Sequence, residues 1–413
     1  MAKQFPKFHK PLIVFLLTLI LAFSVSAQES AYDLGSIQKK AATSSTIALY
    51  IRSTPQFQGL LTEAFASHGA FSLTDKPQQA HYKLLFKPVN NHSFKLSLEA
   101  TASSSAFDQI VEGIHLRDAA LRAADLAVEK MTTRPGFFAG RLAFVGGIPS
   151  QSEVFISDLF FRNPQQTTHD QSRSLRPQWS PDGQSLLYTS YYKTGFPDIF
   201  RINISTGVRE PLISFQGTNT GATYSPSGRN IAMILSGTGN AEVYLSNKQG
   251  RELQRLTQTD ALESSPSWSP DGTRLIFSSN QNGLSQLYTL SIQGGGIKQL
   301  NTPASQCTEP SWNPIYPNLI AFTVLVKREF EIALYDFNTQ SFRVLTNGKG
   351  DAMEATWTRD GRHLIYTARR SQQRQLFLLD SLSGKKTALP HERLPYCWQA
   401  DYVYPKTKVT AQQ

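Results

Sequence analysis

The chain has 413 residues, a formal net charge of +10 and a composition that is 40% hydrophobic and 11% aromatic, as a globular, strand-rich protein requires. Basic character invites a nucleic-acid partner. The lysines and arginines are scattered, however, and no nucleic-acid recognition motif occurs, so that class is excluded.

Residues 1–27 read as an export leader. Lys3, Lys7 and Lys10 form its basic start, residues 12–23 its apolar stretch, and Val25-Ser26-Ala27 a small-residue cleavage site. The apolar stretch is shorter than the ~20 residues a bilayer-spanning helix needs. No cysteine lies near the cleavage point, so nothing there favours a lipid anchor. The expected mature chain starts near Gln28 with a net charge of +7, a mild positive charge suited to acidic envelope polymers.

Residues 28–134 are expected to form an N-terminal tail and a small α/β domain. The tail, residues 28–45, is polar and serine-rich. Residues 46–51 then read as a strand and residues 57–66 as a short helix. Residues 81–86 and 94–98 form a hairpin about Asn90-Asn91. Leu116, Ala119, Ala120, Ala123, Ala124, Ala127 and Met131 line one face of a second helix. Thr133-Arg134-Pro135-Gly136 ends it and marks a hinge.

Residues 135–413 repeat one pattern with a period of 44 or 45 residues. An apolar triplet recurs six times: Leu142-Ala143-Phe144, Leu186-Leu187-Tyr188, Ile231-Ala232-Met233, Leu275-Ile276-Phe277, Ile320-Ala321-Phe322 and Leu364-Ile365-Tyr366. A second strand-like run keeps step at Glu153, Asp198, Glu242, Gln286, Glu331 and Gln375, and a third at Thr167, Leu212, Leu256, Leu300, Leu345 and Leu389. A fixed period of this size means stacked equivalent units, and four short strands per unit match a propeller blade. Most units open on an aromatic residue and a Pro-x-Gly turn, as in Trp179-Ser180-Pro181-Asp182-Gly183 and Trp268-Ser269-Pro270-Asp271-Gly272. Asp182, Asp271 and Asp360 read as turn formers, not as catalytic carboxylates.

The first triplet has no aromatic opening unit before it, whereas Tyr396-Cys397-Trp398 is an opening with no triplet after it. Pairing the two ends closes a six-bladed β-propeller and removes two open sheet edges. The fold class is therefore mainly β, a six-bladed propeller preceded by a small α/β domain. Cys307 and Cys397 fall in blades that are not neighbours and are expected to be free, buried thiols.

Motifs for chemistry are absent. There is no Gly-x-Ser-x-Gly elbow, His-Glu-x-x-His pair, Cys-x-x-Cys pair or phosphate-cradling loop. The histidines, His68, His81, His92, His115, His169, His363 and His391 among them, are scattered along the chain and give no metal cluster. No catalytic, cofactor or metal-binding residue is assigned. Residues ahead of each blade-opening aromatic should rim the central channel: Arg176, Gly221, Glu263, Ser264, Ser265, Thr308, Glu309, Met353 and Glu354. Three carboxylates there suggest a channel calcium ion, as in propeller lactonases. Glu263 is out of register with the other two, which favours a solvated polar rim suited to a peptide or protein loop.

The Trp-Ser-Pro-Asp-Gly units, the junction Gly136-Phe137-Phe138-Ala139-Gly140-Arg141-Leu142-Ala143-Phe144-Val145 and the segment Glu153-Val154-Phe155-Ile156-Ser157-Asp158 together resemble the TolB family of the Tol-Pal envelope system. The resemblance runs from leader to C-terminus. It implies a monomeric, non-enzymatic adaptor in the periplasm, peripheral to the membrane through its partners. It implies binding of the lipoprotein Pal at the propeller channel and of TolA by the mature N-terminal tail, in support of outer-membrane integrity and envelope constriction during division. Family contact positions fall on Thr218, Gly221 and Ser264, where the family usually has His, Ala and Thr. The tail residues Gln28-Glu29-Ser30-Ala31-Tyr32-Asp33 do not clearly match the family's TolA-binding segment. Two other classes compete: a calcium-dependent propeller hydrolase or lactonase, and an envelope glycan-binding propeller, which exposed aromatics on the channel loops would favour.

Overall fold

Each 44- or 45-residue repeat folds into a four-stranded antiparallel sheet, and six such sheets form the propeller. The structure, a computed structural model, describes residues 46–103, 105–389, 394 and 396–406. The leader, the tail and His391 lie outside the described residues.

Blade II shows the plan: Ser174–Trp179 innermost, then Ser185–Ser190, Asp198–Asn203 and Arg209–Ile213. The apolar triplet is the second strand. Leu186, Leu187 and Tyr188 are all buried, because neighbouring blades cover both faces of the sheet. A strand buried on both sides reads as a continuous apolar run, which is why the triplet was legible. The turn between first and second strands is built as its residues predict. Ser180 Oγ donates to Asp182 Oδ1 at 2.6 Å, Gln184 N donates to the same oxygen at 3.0 Å, and Gly183 takes φ 69°. Ser269, Asp271 and Thr273 repeat the arrangement in blade IV. Another repeated device ties the outer strands. Thr168, Thr257 and Thr346 each accept from a third-strand amide at 2.8–2.9 Å and donate to Glu153, Glu242 or Glu331.

The ring closes through both ends of the repeat region. Cys397–Val403 is the innermost strand of blade I and pairs antiparallel with Arg141–Ile148, Trp398 opposite Val145 and Asp401 opposite Ala143. Cys307 and Cys397 each begin an innermost strand, and both are buried and free.

Ahead of the blades lies a five-stranded sheet with two helices. Its strands are β1 (Ile47–Arg52), β2 (Phe71–Leu73), β3 (Tyr82–Asn90), β4 (Ser93–Ala100) and β5 (Ala106–Glu112). Their order is β2-β1-β3-β4-β5, with β1 parallel to both β2 and β3. Helix α1 (Pro55–Ser67) and helix α2 (Leu116–Thr132) match the two helices read from the sequence, and Thr133 in the left-handed region ends α2. Strands β2 and β5 were not foreseen. β2 has three residues, and most of β5 is exposed, so neither carries a buried apolar alternation.

This α/β layer shares a continuous core with the propeller: Phe65, Phe137 and Phe138 belong to the same cluster as Ile365 and Leu376 of blade VI. Asp125 of α2 is the main polar tie. Its carboxylate accepts from Phe138 N at 2.6 Å, Ala139 N at 3.0 Å and the Tyr404 hydroxyl at 2.9 Å. Burial pushes its pKa up to about 6, against the pull of the two backbone donors. Gly136 is required beside it, since a Cβ there would lie 2.3 Å from the Asp125 Cα. Arg117 pairs with Asp158 at 2.6 Å, and Arg122 reaches the Pro405 carbonyl at 2.9 Å.

Candidate functional site

The innermost strands share one irregularity. In each, the ladder to the second strand slips at a β-bulge, and the residue three before the end aromatic adopts a left-handed backbone. These six residues are Arg176, Gly221, Ser265, Glu309, Glu354 and Gln399, with φ between 51° and 63°. Only one is glycine, and a left-handed backbone costs a non-glycine residue about 1–3 kcal/mol. Five such residues on one ring mark stored strain at a common place in the fold.

The bulge frees backbone N–H groups from the ladder, and the neighbouring blade takes them up. Glu309 N donates to Ser278 Oγ at 3.1 Å, Glu354 N to Glu309 Oε2 at 3.0 Å, and Gln399 N to Thr367 Oγ1 at 3.0 Å. Arg176 N completes the series by donating to Gln399 Oε1 at 3.0 Å. Side chains then bridge the ring: Gln399 Nε2 donates to Glu354 Oε1 at 2.8 Å, and Arg176 Nη1 reaches from blade II to Ser265 Oγ of blade IV at 3.1 Å. All six residues border a cavity of about 410 Å³ in the channel.

Burial, with the Glu354 carboxylate beside it, pushes Glu309 up to about 7, while Arg176 opposes the shift. A carboxyl raised in the folded state binds its proton more tightly folded than unfolded. Its contribution to stability is complete below the ordinary glutamate value of 4.5 and is lost as pH rises through about 7. Folding stability is therefore expected to fall between pH 5 and pH 8. In denaturant titrations at both pH values, Glu309→Gln should flatten that slope, leaving the share of Asp125 and Asp401, each raised to about 6 by burial. An unchanged slope in the variant would remove Glu309 from the account.

Of the three positions suggested by family resemblance, only Gly221 is a ring residue. Thr218 lies just before the innermost strand of blade III, where its N–H donates to Ser236 Oγ at 2.7 Å. Ser264 is in the innermost strand of blade IV, opposite Ser278 and outside the cavity wall. Glu263 is not on the rim. It is buried and accepts from Thr257, Thr259 and Ser279. The ring thus carries two carboxylates, whose oxygens accept from Thr323, Glu354 N, Thr367 and Gln399 beside the Arg176 cation. Calcium takes six to eight oxygen ligands, and these side chains do not fit that demand. The tryptophans are blade wedges: Trp268, Trp312 and Trp357 are buried and donate their Nε1 to backbone carbonyls.

Sequence reasoning missed Gln399, because the closing strand had not been counted among the channel loops. It also scattered two histidines that the fold brings together. The rings of His68 and His363 have centroids 4.4 Å apart where the α/β layer meets blade VI. With Asp360 they place three possible ligand atoms within 4.8 Å of one another. The cluster is an ionic lock. His363 Nδ1 bonds Asp360 Oδ2 at 2.6 Å, and Arg362 grips Asp380 through two bonds at 2.9 and 2.6 Å. Burial opposes the His363 imidazolium, but the Asp360 and Asp380 carboxylates outweigh it and hold its pKa above the ordinary histidine value. Burial, aided by the charges on His363 and Arg362, keeps His68 neutral.

Residues 128–394 match the family described as TolB beta propeller domain. A Tol-Pal system protein TolB from Desulfosudis oleivorans is 35% identical over 132 residues, 32% of this chain and 30% of that protein. Another, from Anaeromyxobacter dehalogenans strain 2CP-C, is 31% identical over 157 residues, 38% of this chain and 36% of that protein. The aligned stretches thus span only about a third of the curated relatives' own length. The crystal structure of TolB from Acinetobacter baumannii superposes with a TM-score of 0.79 at 21% identity, covering 88% of this chain and 98% of that one, a likeness of fold. With the family match running from the end of α2 to just before the closing strand, well over half of the chain, this chain belongs to the TolB β-propeller family.

Proposed function

We propose that this chain is a non-catalytic periplasmic adaptor of the Tol-Pal system, docking the Pal lipoprotein over its channel and TolA through its N-terminal tail. Export follows from the leader over residues 1–27, and the division into residues 28–134 and 135–413 belongs to the same reading. The observation that carries it is the strained polar ring with Gly221 at the channel, a preformed socket whose side chains already exchange hydrogen bonds from blade to blade. A ring of backbone and side-chain donors and acceptors suits a protein loop better than a reacting small molecule. Pal is named in the Tol-Pal system of the similar proteins, and TolA is the partner that the family resemblance implies.

Calorimetric titration of the soluble Pal domain from the same organism into the mature chain should show saturable binding. Gly221→Trp should weaken it at least about tenfold, because the residue faces the channel beside Pro266 and its left-handed backbone resists a side chain. A folded wild-type protein that takes up no Pal would overturn the assignment. A second reading has one observation in its favour: Tyr192, Phe196 and Phe215 are exposed aromatics, the feature a glycan-binding propeller would show. Peptidoglycan fragments as titrant distinguish it.

A further inference from the structure

Successive strands of a blade alternate in direction. Links between first and second strands, and between third and fourth, therefore leave on one side of the ring. The second-to-third hairpins and the links between blades leave on the other. The α/β layer contacts the first side, through Asp158, Asp360 and Ser383. The second side, here the open face, carries two arcs of side chains.

Over blades I to IV the arc is mainly apolar, with Arg173 and Lys193 exposed beside it. Ile148, Tyr192, Phe196, Phe215, Leu262 and Leu284 are 48–67% exposed, each in an open-face hairpin or link. Scattered exposed apolar residues need no explanation, but a run of them on neighbouring loops marks a contact surface. Over blades V and VI the arc is basic. Lys327 and Arg328 occupy one hairpin, Lys349 the link between the blades and Arg370 the next hairpin, all exposed. Nearby acids are already engaged: Glu329 accepts from Gly350 N at 3.0 Å, and Asp351 accepts from Phe330 N and pairs with Arg369 at 2.7 Å. Among the described residues, no carboxylate lies within 4.0 Å of the Lys327, Arg328, Lys349 or Arg370 cations.

Resting on the docking reading above, we infer that the domain seated on this face presents an acidic surface to blades V and VI and an apolar one to blades I to IV. The polar ring lies deeper in the channel, and the cavity it borders is walled by Ser180, Pro181, Pro226, Pro270 and Pro314 of the first-to-second-strand turns. Exposed cations with no carboxylate partner are complementary to an acidic surface on that domain, and Lys193 adds one more cation beside the apolar arc. The basic arc steers encounter, and the apolar arc slows dissociation once solvent is excluded.

The test is the association and dissociation kinetics of the same Pal domain at ~50 and ~300 mM salt, across which a surface field is progressively screened. For wild type the on-rate should fall about tenfold at the higher salt. The quadruple variant K327E/R328E/K349E/R370E should bind at the slow rate at both salts. F215S/L262S should raise the off-rate while leaving the on-rate nearly unchanged. K385E, on the side of the α/β layer, is the control and should behave as wild type. Pal binding with no salt dependence, and unaffected by the quadruple variant, overturns this inference and leaves the docking reading intact. Absence of Pal binding by folded wild type overturns both. Binding of wild type, but not of the quadruple variant, to phosphatidylglycerol vesicles would assign the arcs to a lipid surface instead.

Discussion

Deleting residues 397–413 should abolish cooperative folding of the propeller. The deletion removes the innermost strand of blade I and leaves Arg141–Ile148 with an unpaired edge facing the channel. Trp398 and Cys397 are almost fully buried, and Val403 and Ala400 nearly so. At about 1.5–3 kcal/mol for each large apolar side chain, that burial rivals much of the roughly 5–15 kcal/mol that holds a domain together. The lost polar contacts add to it: Trp179 N loses Asp401 at 2.7 Å, Phe137 O loses the Tyr402 hydroxyl at 2.8 Å, and Asp125 loses Tyr404. Thermal melts followed by circular dichroism, with gel filtration alongside, should show a broad transition and aggregates. A truncated chain that melts as sharply as the full one, within a few degrees of it, would mean the ring does not depend on this closure.

Asp125→Ala is expected to be the most costly single substitution at the contact between the α/β layer and the blades. It strands two buried backbone donors, Phe138 N and Ala139 N, and the Tyr404 hydroxyl. Each unsatisfied buried donor costs about 1–3 kcal/mol, so a total of about 3–5 kcal/mol is expected after partial relaxation. The effect depends on pH. The folded-state pKa of about 6 stands above the ordinary aspartate value of 3.8, so the wild type gains stability as pH falls through 6 and the variant does not. The loss should therefore be larger at pH 5 than at pH 8, read as the difference in denaturation midpoints. Equal midpoints for the two proteins at pH 5 would show that Asp125 does not hold the layers together.

Much of the propeller could be read in advance because duplication repeats its constraints. A triplet buried on both faces must be apolar in every blade, and the aromatic residue that opens a blade must wedge against the next. The closing strand was legible too, but its wedge was misplaced: Tyr402, opposite Leu142, holds the register of Trp179 and Trp357, whereas Trp398 lies four residues earlier, opposite Val145. The channel was read less well. Glu263, Glu309 and Glu354 look alike in sequence, but the bulge turns only the residue three before each aromatic toward the channel. Glu263, five before Trp268, is carried between Thr257 and Ser279. Counting back three from Trp179, Tyr224, Trp268, Trp312, Trp357 and Tyr402 would have found the whole ring, Gln399 included. The contact of His68 with His363 left no such trace. It joins a helix end in the α/β layer to a strand start in blade VI, and nothing periodic connects the two.

Hydrogen–deuterium exchange of the mature chain, with and without saturating Pal domain, tests the docking claim most directly. The account predicts slowed exchange in the links ahead of the innermost strands, residues 214–221 and 258–265, and in the open-face hairpins of blades V and VI. Residues of α2 should be unchanged. Protection confined to the α/β layer or to the outermost strands, with the channel links exchanging as in the free protein, would contradict it.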